Sequence, residues 1–120
     1  MSFSCRDPAH LCDGSRIRAV AGDCDASPRV AAVGVNCSLP GHIDGLIAEI
    51  SKGSGKPIIV YPNSGDRYDA ESKSWRPSMQ PFDLESASVG WLKSGAFGIG
   101  GCCRVHSADI ARIRQRLIGR

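Results

Sequence analysis

The sequence predicts an α/β fold: a parallel sheet of about four strands, each followed by a helix. Three observations carry that expectation. Short apolar runs rich in β-branched and small residues recur along the chain without polar alternation, as strands of a parallel sheet do. Segments with helical spacing separate them, and alternating strand and helix implies right-handed crossovers between parallel strands. Residues with chemistry cluster just after the runs, where parallel strands share one rim.

The expected strands are Ser2–Cys5, Val30–Cys37, Pro57–Tyr61 and Ala96–Gly101. Ser15 is placed as the cap of a first helix carrying Ile17 and Val20. After Cys37, Pro40 suits the first position of a second helix. There Ile43, Leu46, Ile47 and Ile50 fall at the i, i+3, i+4, i+7 spacing of one apolar face. A third helix ends between Gly90 and Gly95, with Trp91 and Leu92 as its buried contacts. Ser107 is the expected cap of a fourth, striped by Ile110, Ile113 and Leu117. Residues from Asn63 to about Pro81, rich in Ser, Pro, Gly and charge, read as a long active-site loop.

Length limits the architecture. The chain has 120 residues, whereas a closed eight-stranded (β/α)8 barrel takes about 250. Four strand–helix units therefore make half a barrel, with two unpaired strand edges and an apolar inner face that call for a partner. The expected partner is a separate half-barrel or a second copy of the chain; the alternative is that the chain is a piece of a longer protein.

Composition excludes several classes. The chain is 42% hydrophobic and 22% charged, ordinary for a globular protein. No apolar run reaches the roughly 18–20 residues a membrane span needs, and the N-terminus lacks the pattern of a secretory signal, which makes the cytoplasm the expected compartment. The net charge of +3 is mild. Much of it comes from Arg112, Arg114, Arg116 and Arg120, read as one solvated helix face, because no aromatic residues interleave them as nucleic-acid binding would need.

Six cysteines are many for this length. In a secreted mini-protein they would suggest disulfides; in a cytoplasmic chain they read as reduced thiols, some of them metal ligands. Cys5, Cys12 and Cys24 are read as small buried hydrophobes. Cys37, Cys102 and Cys103 each follow a strand and converge on the active-site rim. Three thiols meeting there suit zinc, which takes tetrahedral sulfur and nitrogen ligands and keeps an open position in catalytic sites. A disulfide between the adjacent Cys102 and Cys103 is disfavoured by its strained ring. Spacing alone leaves zinc and plain burial both open for these three. His106 is a weaker candidate ligand, His10 and His42 weaker still.

At these residues the sequence resembles the homocysteine S-methyltransferase family. The matching segments are S-F-S-C-R-D with H-L-C-D-G-S, V-G-V-N-C, P-I-I-V-Y-P-N-S-G with Y-D, and G-I-G-G-C-C-R, in the family's order over nearly the whole chain. The resemblance implies the C-terminal, zinc-binding half of a TIM barrel, with residues 1–120 a partial domain lacking the N-terminal half. It implies that Cys37, Cys102 and Cys103 bind Zn2+, and that a methyl group passes to the sulfur of homocysteine, giving methionine. The P-N-S-G loop looks closest to the branch using the sulfonium donors S-methylmethionine or S-adenosylmethionine. Asn36, Tyr61, Asn63 and Ser64 are the expected substrate contacts, with the fixing of backbone turns as the favoured alternative for Asn36 and Asn63, and Trp75 either walls the pocket or anchors its loop. Two features depart from the pattern: the family's grip on the amino-acid end of homocysteine comes largely from the first half-barrel, and Val105-His106 stands where a Thr-rich or Pro-containing stretch is expected. The alternative reading is a non-catalytic zinc-binding fragment that needs a partner half-barrel. A dithiol redox protein ranks last, since Cys102-Cys103 lacks the Cys-x-x-Cys arrangement.

Overall fold

A computed structural model describes residues 1–77 and 81–119. Four parallel strands form one sheet in the order β1 (Ser2–Ser4), β2 (Val33–Asn36), β3 (Ile58–Tyr61) and β6 (Ala96–Ile99). Helices α1 (Ile17–Ala26), α2 (Ile43–Gly53), α3 (Leu84–Ser94) and α4 (Ser107–Ile118) follow them. The α/β expectation holds, as four parallel strands of a partial barrel.

Register decides what each face carries. Val33 pairs with Ile58 and Val35 with Val60, so these four side chains share the face that the helices cover. There they pack with Ile17, Ile43, Leu46, Ile47, Ile50 and Trp91 in one core. The whole Ile43–Leu46–Ile47–Ile50 stripe is fully buried, as its spacing requires. The alternate residues Ser2, Gly34 and Ile59 lie in register on the opposite face, followed by Ser4, Asn36 and Tyr61. This second face is not covered as a doubly buried strand would be: Ile59 is 38% exposed. Between β3 and β6 the register shifts at Ile58/Ile59, leaving Phe97 as the extra residue of a bulge and 77% exposed.

Several details differ from the sequence reading. The strands are shorter than expected, because Val30 to Ala32, Pro57 and Gly100 lie outside the ladder. Arg16, not Ser15, is the N-cap of α1, without a side-chain cap bond. The Ile17 N–H donates instead to the Ala9 carbonyl, 3.0 Å away in the loop after β1. Pro40 opens a single 3-10 turn, Pro40–His42, that runs directly into α2. In α3 Trp91 is buried but Leu92 is 39% exposed. The helix stops at Gly95, whose φ of 118° is the left-handed stop glycine provides. His106 occupies the N-cap of α4 and Ser107 is its first residue; the His106 N–H donates to Asp109 Oδ2 at 2.8 Å. Of the α4 stripe only Ile113 is buried.

The long loop is not structureless. Arg67–Asp69 (β4) and Ser74–Arg76 (β5) form an antiparallel hairpin, with Tyr68 opposite Trp75. Residues 78–80 of the expected loop lie outside the described residues, as does Arg120 of the basic helix face. Arg112, Arg114 and Arg116 are exposed. Among the described residues no helix is long and apolar enough to cross a membrane.

Candidate functional site

The three cysteines meet where β2 and β6 end. These strands flank β3, so their axes stand roughly 9–10 Å apart; yet the Cα atoms of Cys37 and Cys102 are 5.4 Å apart. The chain must therefore curl inward over the end of β3 from both sides. It does so above Pro62, which is fully buried. The Cys37 N–H donates to the Tyr61 carbonyl at 3.1 Å, and the Cys102 N–H donates to the Pro62 carbonyl at 2.9 Å. Cys37 has φ 44°, a conformation that costs a non-glycine residue energy and marks functional sites. Asn63 holds it there: its Nδ2 donates to the Cys37 carbonyl at 3.2 Å while its Oδ1 accepts the Gly65 N–H at 2.8 Å.

The sulfurs of Cys37, Cys102 and Cys103 all lie within 4.8 Å of one another. Cys37 and Cys102 are joined as a disulfide, and the Cys103 sulfur is 3.3 Å from that of Cys37. The pairing departs from the expectation of reduced thiols, and its cause is the same convergence. It spans two strand ends and avoids the strained vicinal ring. Two electrons and two protons convert it to two thiols, and only in that state can all three sulfurs act as thiolates. The donor set then fits a soft, tetrahedral cation. With metal–sulfur bonds of about 2.3 Å, tetrahedral geometry puts sulfurs about 3.8 Å apart, inside the range the cluster already spans. Three protein donors leave one position open. Among the described residues no histidine joins the cluster: His106 caps α4, and His10 Nδ1 is 2.9 Å from Asp7 Oδ1.

Below the cysteines, on the uncovered face, runs a polar network. Ser4 Oγ donates to Asn36 Oδ1 at 2.5 Å, and Asn36 Nδ2 donates to Ser2 Oγ at 2.9 Å. Tyr61 Oη donates to the same Ser2 Oγ at 2.6 Å. Asn36 and Tyr61 thus lie together beneath the sulfur cluster, while Asn63 and Ser64 lie beside it. The Ser64 N–H donates to the Cys103 carbonyl at 3.1 Å, and its Oγ accepts the Asp66 N–H at 3.3 Å. The sequence reading missed Ser2 and Ser4. Their signal was the polar–apolar–polar alternation of Ser2-Phe3-Ser4, which puts both hydroxyls on one face.

Trp75 anchors the hairpin. Its ring centroid is 5.4 Å from that of Tyr68 and 5.7 Å from the Arg104 guanidinium carbon. The remaining cysteines are free. Cys5 and Cys24 are buried as expected, and burial pushes the Cys5 thiol up to about 11. Cys12 is exposed, contrary to its reading as a core residue: it sits on the loop after β1, where its N–H reaches the Ser4 carbonyl. In the same loop the Ala9 N–H and the His10 ring bond Asp7, holding its carboxyl down at about 2.

The sequence profile of homocysteine S-methyltransferase matches residues 1–117. The chain belongs to the homocysteine S-methyltransferase family. It is 40% identical over 121 residues to the selenocysteine Se-methyltransferase of Brassica oleracea var. italica, covering 99% of this chain and 35% of that protein. To the homocysteine S-methyltransferase YbgG of Bacillus subtilis it is 41% identical over 113 residues, covering 94% and 36%. The crystal structure of the metallated form of the Escherichia coli homocysteine methyltransferase MmuM superposes with a TM-score of 0.77 at 32% identity, covering 97% of this chain and 34% of that one. The chain thus spans about a third of the length of the curated relatives it matches.

Proposed function

We propose that this chain is the metal-holding part of an enzyme that moves a methyl group from a sulfonium donor, S-methylmethionine or S-adenosylmethionine, to the thiol of homocysteine, giving methionine. The observation that carries the reading is the gathering of three cysteine sulfurs, from two separate strand ends, within 4.8 Å of one another. Cys37, Cys102 and Cys103, reduced to thiolates, would hold Zn2+, which when bound supplies Lewis acidity that lowers the pKa of a substrate thiol. In the transfer the sulfur of the homocysteine thiolate bonds the methyl carbon as the donor's carbon–sulfur bond breaks. The thiol proton goes to solvent and the donor leaves as a neutral sulfide, so no general base from the chain is needed.

The residues around the sulfurs would orient and enclose the substrates. Asn36 and Tyr61 offer polar groups on the uncovered face below, and Asn63 and Ser64 fix the loop beside the cysteine pair. The reduced state the chemistry requires suits the cytoplasm.

Residues 1–120 would then be a partial domain, completed by a separate N-terminal half-barrel or by a second copy. Among the described residues β1 and β6 are the edges of the sheet, and with the exposure of Phe97 and of Ile118 (65%) they support a covering half-barrel, on the same polypeptide or on another. A second reading is a non-catalytic zinc-binding fragment that needs a partner half-barrel. Metal analysis of the reduced chain tests the site: about one zinc per chain is expected, lost in Cys37→Ser, and equal zinc in both would overturn the ligand assignment. A methyl-transfer assay with homocysteine and S-methylmethionine, run alone and with a supplied N-terminal half, separates enzyme from fragment. Methionine formed in either arm supports the enzyme, and none in both favours the fragment.

A further inference from the structure

We infer that Arg104 is a positioning residue, fastening the β4–β5 hairpin to the Cys102–Cys103 turn so that Trp75 and the cysteine pair are set together. The inference rests on the metal-holding role proposed above for the cysteines, but its geometry stands apart from it.

Arg104 directly follows the cysteine pair and has φ 63°, the left-handed region that glycine occupies freely and arginine only at a cost. A long charged residue held in that conformation is compensated by what its side chain reaches. Its Nε donates to Asp66 Oδ2 at 2.9 Å, with the Asp66 side chain only 19% exposed. Its guanidinium also stands 5.7 Å from the centroid of the Trp75 ring. Asp66 precedes the hairpin and Trp75 lies within it, so one side chain holds both ends of β4–β5.

The backbone repeats the connection. The Pro62 carbonyl accepts from Cys102, and Ser64 donates to the Cys103 carbonyl. Loop and cysteine pair are thus joined by two main-chain bonds, one ion pair and one cation–ring contact. Groups coupled in this way influence each other reciprocally: what orders the cysteines orders the hairpin, and the reverse. Lysine keeps the charge but neither the planar fork nor the stacking surface, so it should restore the function in part.

The test uses the reduced full chain and Co2+ as the probe. Thiolate-to-cobalt absorption reports ligation by the cysteines, and tryptophan fluorescence reports the hairpin; Trp91 is 1% exposed and its contribution is fixed with Trp75→Phe. In the wild type both signals should change with one midpoint. Arg104→Gln and Asp66→Asn should each weaken Co2+ binding about three- to tenfold and at least halve the Trp75 response, with Arg104→Lys between them and the wild type. Circular dichroism checks folding, and if Arg104→Gln does not fold, Asp66→Asn and Arg104→Lys carry the comparison. Unchanged Co2+ affinity and Trp75 response in the folded variants would overturn the inference. If the wild type shows no cobalt–thiolate absorption, the metal reading fails, and acrylamide quenching of Trp75 in the metal-free chain decides the clamp alone. The inference then requires quenching at least about twofold stronger in Arg104→Gln or Asp66→Asn, and equal quenching would overturn it.

Discussion

Gly101 sits immediately before the cysteine pair, and its missing side chain makes room for Val105. A Cβ built at position 101 would lie 2.2 Å from Val105 Cγ1 and 2.6 Å from its Cβ. Carbon atoms rest about 3.5–4.0 Å apart, so Gly101→Ala must drive the two positions more than about 1 Å apart. Val105 cannot simply swing away, because a β-branched side chain has few χ1 choices. Its N–H is also bonded to the Cys102 carbonyl at 3.1 Å. The displacement therefore passes into the turn that carries Cys102 and Cys103. Overpacking of this kind costs about 1–3 kcal/mol. If that cost falls on the metal-holding arrangement, affinity drops about 5- to 150-fold. Zinc competition with a chromophoric chelator measures it on the reduced chain. The control is a double-mutant cycle with Val105→Gly, which removes both clashing atoms: in that background Gly101→Ala should cost little, leaving a coupling of at least about 1 kcal/mol. Wild-type affinity in Gly101→Ala, or an equal loss with and without Val105, would refute the steric argument.

Three further outcomes are expected. Leu46→Ala, at a fully buried position of α2, should lower unfolding free energy in urea by about 2–5 kcal/mol. Asp7 has a folded carboxyl pKa depressed from 3.8 to about 2, first by the Ala9 N–H and then by the His10 ring. Its contribution to stability is therefore present above pH 3.8 and lost as pH falls towards 2, so Asp7→Asn should flatten the stability profile across that window in urea titrations. Iodoacetamide at pH 8 on the folded, oxidised chain should label exposed Cys12 well before Cys5, whose thiol, buried and pushed up to about 11, is a thiolate only about one part in a thousand of the time; peptide mapping with equal early labelling of both would contradict this.

What the sequence made legible follows from how strongly each pattern is constrained by burial. The Ile43–Ile50 stripe could be read because a packed core admits few alternatives for it, and the Ile58–Tyr61 run because its β-branched residues suit a strand, although only Ile58 and Val60 face the core and Ile59 is exposed. The convergence of Cys37 with Cys102 and Cys103 could be read because parallel strands share a rim. Helix starts were less legible. Ser15 and Ser107 have the right chemistry for caps, but the Ala9 carbonyl accepts from Ile17 across the preceding loop, and Asp109 accepts from the His106 N–H as the acidic member of a capping box that sits one residue earlier than the serine suggests. The hairpin was missed because Arg67-Tyr68-Asp69 and Ser74-Trp75-Arg76 each carry one aromatic between polar neighbours, too little for a strand pattern. It is visible only in cross-strand pairing, Tyr68 against Trp75. Cys12 was misplaced because residue type says nothing of which loop it rides on.

The inward curl of the chain over Pro62 has a mechanical consequence. It allows positions 65 residues apart in the chain to be tied together across the sheet. A tie of that span removes roughly 4 kcal/mol of conformational freedom from the unfolded ensemble in the chain-entropy description. A bond between two of the sulfurs, or an ion shared by all three, would act as a buckle joining the second strand–helix unit to the last. Substituting a cysteine there would open the buckle as well as remove a donor, so melting curves belong beside every turnover measurement on such variants.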